Sequence, residues 1–217
     1  MTEHEFDQIW MYYSGTLHKM NLHPGLYQTL LERAEEIGKL NEYAIVIQRD
    51  LHRTFPDNIF FSCREELDGG SVLATSSGTT SKIQKLRRVL LAFSIHSPEI
   101  GYCQSFNFLA GLLVLLFDEE EHAFWMLHTI IHDYFPKNMF DTIMEGANIE
   151  QTVLMMLIYE KMPGVWAKIA NRKCFWECEQ EDCLPPITLV TNHWFMTLFI
   201  NIVPIETVLR IWDCFFA

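Results

Sequence analysis

Positive charge is scarce in this sequence. Its 16 lysines and arginines stand against 28 aspartates and glutamates, a formal net charge of −12 with neutral histidines. Proteins that grip nucleic acid meet its phosphates with basic surfaces, and anionic membranes attract polybasic segments, so both partner classes are disfavoured. Long apolar runs are missing too. The most apolar stretch, Phe106–Phe117, includes Asn107 and falls short of the roughly 20 residues that a spanning helix needs. A buried core helix is expected there, with no direct membrane insertion. The opening residues mix Glu3, His4, Glu5 and Asp7 with scattered apolar positions, unlike a secretory signal.

Cysteines are dispersed, at 63, 103, 174, 178, 183 and 214. With no sign of secretion they read as reduced thiols of a cytoplasmic protein. The nearest approach to a zinc pattern is Cys174, Cys178 and Cys183 with His193 beyond. That spacing is irregular and no second close pair of ligands follows, so no metal site is expected. Strand-like alternation does not persist beyond a few residues, which excludes a substantial sheet.

What is present is apolar and helical. Hydrophobic residues make up 49% of the chain and charged residues 20%, enough for a sizeable core. Leu26, Leu30 and Leu31 give one face to a helix opening after Pro24, and a short helix is predicted over Tyr43–Arg53. Leu86, Val89, Leu90 and Phe93 repeat at helical spacing. Further helices are predicted over Cys103–Phe117, Glu120–Tyr134, Asn148–Lys161 and Leu184–Ile200, and a last one from Ile205 onward behind Pro204. The small-residue tract at about 68–81 reads as a flexible loop inside one all-α domain covering 1–217, and Lys173–Pro186 as a connecting insertion. Glu119, Glu120 and Glu121 read as a solvated helix start. His52 and His96 read as surface or satisfied interior groups.

Three stretches carry candidate chemistry. In Ile47-Gln-Arg-Asp50-Leu-His-Arg53-Thr-Phe-Pro56, Asp50 and Arg53 share one helical face. Pro56 pushes Phe55 out of the helical region, so Arg53 falls near the helix end. It serves there either as a surface partner and cap, or as a cation presented to a partner. In Ile100-Gly-Tyr102-Cys-Gln104-Ser-Phe-Asn107, Gly101 permits an unusual entry angle and Gln104 is placed in the first helical turn. Gln104 and Asn107 either satisfy backbone donors, or Gln104 addresses a water and a phosphate oxygen. The third stretch, Val203 to Asp213, is an amphipathic helix burying Val208, Ile211 and Trp212, without catalytic chemistry of its own.

In this order the three stretches resemble the TBC domain family of GTPase-activating proteins for Rab-type small GTPases. The pattern I-x-x-D-x-x-R is matched by Ile47, Asp50 and Arg53, Y-x-Q by Tyr102 and Gln104, and R-x-W-D by Arg210, Trp212 and Asp213. Among fungal members, LRRVLLAFS, IGYCQS and AFWML look most like the exocytic Rab-GAP type.

The resemblance implies a multi-helix fold and a dual-finger mechanism. Arg53 stabilises charge on the transferred phosphoryl group and Gln104 orients the attacking water, with Asp50 and Tyr102 supporting them or touching the GTPase. It implies no cofactor of the chain's own, because GTP and Mg²⁺ belong to the partner. It also implies a cytoplasmic protein recruited to membranes through its GTPase and acting in vesicle traffic. A catalytically silent Rab-binding scaffold is the alternative. Three departures stand out. The early R-x-x-x-W keeps Trp10 but has Phe6 in place of its arginine, and Q-G-M-N becomes Gln104-Ser105-Phe106-Asn107. The chain also stops at Ala217, directly after the third motif, so a domain shortened at both ends is expected.

Overall fold

A computed structural model describes residues 3–61, 82–171, 173–180 and 185–217. The tract at 68–81 and Cys183 lie outside the described residues, as does the side chain of Phe6. Among the described residues all regular structure is helical, and the helices group into two compact units.

The first unit, residues 1–131 with 215–217, contains α1 (Glu3–Tyr13), α2 (Thr16–Leu22), α3 (Leu26–Ile37), α4 (Ala44–Leu51), α5 (Lys82–His96), α6 (Phe106–Leu116) and α7 (Glu120–Thr129). Helix α5 sits at its centre, packed on α3, α4, α6 and α7. Its predicted apolar positions Leu86, Val89, Leu90 and Phe93 are buried, and so are Leu91, Ala92 and Ser94. A helix buried on nearly every side belongs in the middle of a bundle.

Helix α6 is apolar apart from Asn107, with Phe117 as its C-cap. Lys82 Nζ donates to the Val114 carbonyl at 2.7 Å, and Lys85 Nζ to that of Asp118 at 2.8 Å. These ammonium groups satisfy carbonyls at and just beyond the helix C-terminus, where the macrodipole favours positive charge. Helix α7 opens with Glu120, which is clasped by Arg88 Nε at 3.0 and 3.1 Å. With only 20% of its side chain exposed, Glu120 is a cross-helix anchor rather than part of a solvated start. The helix predicted through Tyr134 changes to a π-helical stretch at Ile130–Tyr134.

The second unit, His132–Cys214, holds α8 (Glu145–Lys161), α9 (Pro163–Ile169), α10 (Phe175–Gln180), α11 (Thr188–Met196) and most of α12 (Ile205–Phe216). Its core gathers Met155, Trp166, Ala170, Phe175 and Cys178. The insertion predicted at Lys173–Pro186 therefore contributes a helix, α10, and Cys178 is one of its core residues. Helices α1, α2, α9 and α10 were not expected from periodicity. The last three have only six or seven residues, below the length at which a helix stands alone, so packing creates them. Among the described residues no helix is long and apolar enough to cross a membrane.

Candidate functional site

The site is assembled from two turns of the first unit. Helix α4 is entered through Asn41, whose Oδ1 accepts from the Tyr43 backbone N–H at 2.9 Å and whose Nδ2 donates to Ser94 Oγ on α5 at 3.1 Å. Ile47, Asp50 and Leu51 form its buried face. The helix ends at Leu51, two residues earlier than predicted, and Arg53 lies in the following turn. Phe55, ahead of Pro56, has φ 47°, outside the right-handed region. Its ring packs against Phe61 and Phe108.

Asp50 is the centre of the arrangement and is wholly buried. Its Oδ1 binds the Arg53 guanidinium, and its Oδ2 accepts the Tyr102 hydroxyl at 2.7 Å. Arg49 Nε lies 3.8 Å from Oδ1. A buried carboxylate needs partners for both oxygens, and the chain supplies a cation from the next turn and a phenol from 52 residues away. Arg53 keeps 44% of its side chain exposed. It is therefore half solvent-facing and already tethered, with further N–H donors left for a partner.

Gln104 is exposed, two residues beyond Tyr102. It precedes α6 instead of occupying its first turn, because Ser105 has φ 138° and the helix starts only at Phe106. Gly101 has φ 66°, and a Cβ there would collide with the Tyr43 ring, so glycine is required on both counts. Burial pushes the Cys103 thiol up to about 11, so it is a neutral side chain at physiological pH. Among the described residues no hydrogen bond joins Arg53 directly to Gln104.

The other predicted positions make contacts of their own within the fold. Ile47 is core. In the second unit Trp212 is fully buried and its Nε1 donates to the Leu198 carbonyl at 3.0 Å, while Arg210 and Asp213 pair at 3.1 Å on the surface of α12. Val208 is buried as expected, and Ile211 only partly. Sequence reasoning gave no role to Thr54 or Gly111, and it read Asn107 only as a cap. The one signal for Asn107 is its polarity within an otherwise apolar helix.

The family model described as the Rab-GTPase-TBC domain matches residues 7–217. The GTPase-activating proteins GYP3 and MSB4 of Saccharomyces cerevisiae are 43% and 41% identical over 95% of this chain. Human growth hormone-regulated TBC protein 1 is 36% identical over 96% of it. The chain covers 35%, 42% and 54% of those three relatives. A crystal structure of the Chlamydomonas flagellar RabGAP TBC domain superposes with a TM-score of 0.73 at 25% identity, covering all of this chain and 62% of that one. The chain belongs to the Rab-GTPase-TBC domain family.

Proposed function

We propose that this chain stimulates GTP hydrolysis by a Rab-type small GTPase, completing the partner's active site with Arg53 and Gln104. The observation that carries the reading is the buried Asp50 carboxylate. It holds a half-exposed arginine on one oxygen, and on the other the tyrosine whose loop presents an exposed glutamine. Phosphoryl transfer demands little covalent chemistry of a protein. It is accelerated by positioning and by charge placed where negative charge develops.

Arg53 supplies that charge. An arginine finger is worth roughly 10³ to 10⁵ in rate, or about 4 to 7 kcal/mol of barrier. Its planar fork matches phosphate oxygens in a way that lysine does not. Gln104, donor and acceptor at once, orients the attacking water. The partner holds GTP and Mg²⁺, and the activator needs no cofactor of its own. Such an activator is cytoplasmic, meets membranes through its GTPase and regulates vesicle traffic.

The test is single-turnover phosphate release from a panel of purified Rab proteins, with wild-type chain and Arg53→Ala. Stimulation of at least one Rab, abolished by Arg53→Ala while binding persists, is the expected result. Binding without stimulation by the wild-type chain instead identifies a Rab-binding scaffold.

A further inference from the structure

We propose that Asn107 is a positioning residue that locks the turn carrying Arg53 to the turn carrying Gln104, so that both reach the partner as one unit. The inference rests on the function proposed above. Asn107 is wholly buried on α6. Its Nδ2 donates to Thr54 Oγ1 at 2.8 Å, across 53 residues of sequence, and its Oδ1 accepts from the Ser105 backbone N–H at 3.3 Å. Thr54 directly follows Arg53 and Ser105 directly follows Gln104. One amide side chain therefore holds the neighbour of each.

The hydrogens in this chain have a single consistent arrangement. The Thr54 hydroxyl donates to the Asp50 carbonyl at 2.7 Å, so its oxygen is free only to accept from Asn107. Rotating the amide by half a turn would set NH₂ against the Ser105 N–H and one oxygen against another. A second contact lies one helical turn further along the same face. A Cβ on Gly111 would fall 2.9 Å from Thr54 Cγ2 and 3.0 Å from Phe55 Cε2. The absent side chain is the notch that seats the Arg53 turn. A polar group in so apolar a helix is costly unless fully satisfied, and here its bonds run to the two turns that carry the fingers.

Thr54→Val keeps the shape and deletes the hydroxyl, and Thr54→Ser restores it. Both are assayed with the Rab that the wild-type chain stimulates best. In Thr54→Val the stimulated kcat should fall roughly 10- to 100-fold, as expected for a small misplacement of reacting groups, with KM within about twofold of wild type. Binding to Rab loaded with GDP and aluminium fluoride, a transition-state mimic, should weaken in parallel. Binding to Rab loaded with a GTP analogue should not. Thr54→Ser should recover both. An unchanged kcat overturns the proposal, and so does a joint loss of kcat and binding that serine fails to restore.

A wild-type chain that stimulates no Rab overturns the proposed function instead, and amide hydrogen exchange on the chain alone then decides the tether. Thr54→Val should speed exchange in residues 101–105 while α7 keeps its protection. Equal exchange in the two proteins overturns the lock. The double variant Thr54→Val, Asn107→Leu removes the side-chain amide that Thr54→Val orphans, though it also removes the acceptor of the Ser105 N–H, and serves if the single variant does not fold.

Discussion

Tyr102 and Arg53 hold opposite oxygens of one buried carboxylate, the phenol on Asp50 Oδ2 at 2.7 Å and the guanidinium on Oδ1. An outward-pointing finger should carry few core contacts, yet this arginine is also a counter-ion. Removing it leaves Asp50 buried with only the tyrosine and the more distant Arg49. Arg53→Ala and Asp50→Asn should each cost about 1–3 kcal/mol of stability. The double variant should lose less than the sum, by about 0.5–3 kcal/mol. A denaturation double-mutant cycle measures this; strict additivity contradicts the coupling.

Gln104 bears on the partner's own glutamine. If Gln104 orients the water, a Rab whose switch glutamine is changed to leucine should remain sensitive to this chain. In the ordinary arginine-finger scheme the same change gives resistance. Single-turnover phosphate release at matched activator concentrations separates the two. Loss of all stimulation with the leucine partner, despite intact binding, argues against Gln104 as the second finger. Gln104→Ala should cost several orders of rate with either partner.

Ser105 stands where the resembled motif has glycine, and its φ of 138° is a conformation that glycine adopts freely. Strain of this kind costs on the order of 1–3 kcal/mol. Glycine returns about 0.5–1 kcal/mol of that through unfolded-chain entropy. Ser105→Gly should therefore raise stability by roughly 0.5–2 kcal/mol, visible as a higher Tm. A lower Tm would show that the Ser105 side chain contributes more than its backbone costs.

Trp212→Phe tests the third motif as structure. The substitution removes the Nε1 bond to Leu198, whose φ of 47° marks a turn that the indole helps to hold. It also leaves a cavity in the second unit, so a loss of about 2–4 kcal/mol is expected. Folded protein should retain its stimulated kcat at temperatures well below the new Tm. A kcat loss equal to that of Arg53→Ala in the folded variant contradicts a purely structural role.

Burial, followed by the hydrogen bond and charge of Asp50, holds the Tyr102 phenol protonated well above the usual tyrosine value. The folded state then keeps a proton that the unfolded chain releases near pH 10. That contribution to stability is complete below about pH 10 and lost as pH rises further. Tyr27, raised chiefly by burial and then by Glu120, acts in the same direction. Melting curves from pH 8 to 11 should show an alkaline decline that Tyr102→Phe makes shallower without abolishing it. An unaltered slope contradicts the assignment.

The long helices could be read from the sequence because their burial is periodic. In α5, Leu86, Val89, Leu90 and Phe93 recur on one face, and the structure buries all four. Arg53, Gln104, Asp50 and Tyr102 could be picked out because short motifs name them by type and spacing. Tertiary structure alone decided that Asp50 is shared by Arg53 and Tyr102, that Gln104 stands ahead of α6, and that Asn107 and the bare face of Gly111 seat the Arg53 turn. The Asp50–Tyr102 and Asn107–Thr54 relations join residues more than fifty positions apart, and no local preference encodes them. A backbone angle such as that of Ser105, or a polar group as deeply buried as Asn107, runs against local propensity. Each persists because the packed structure around it pairs the Ser105 N–H and the Asn107 amide and leaves the chain no alternative.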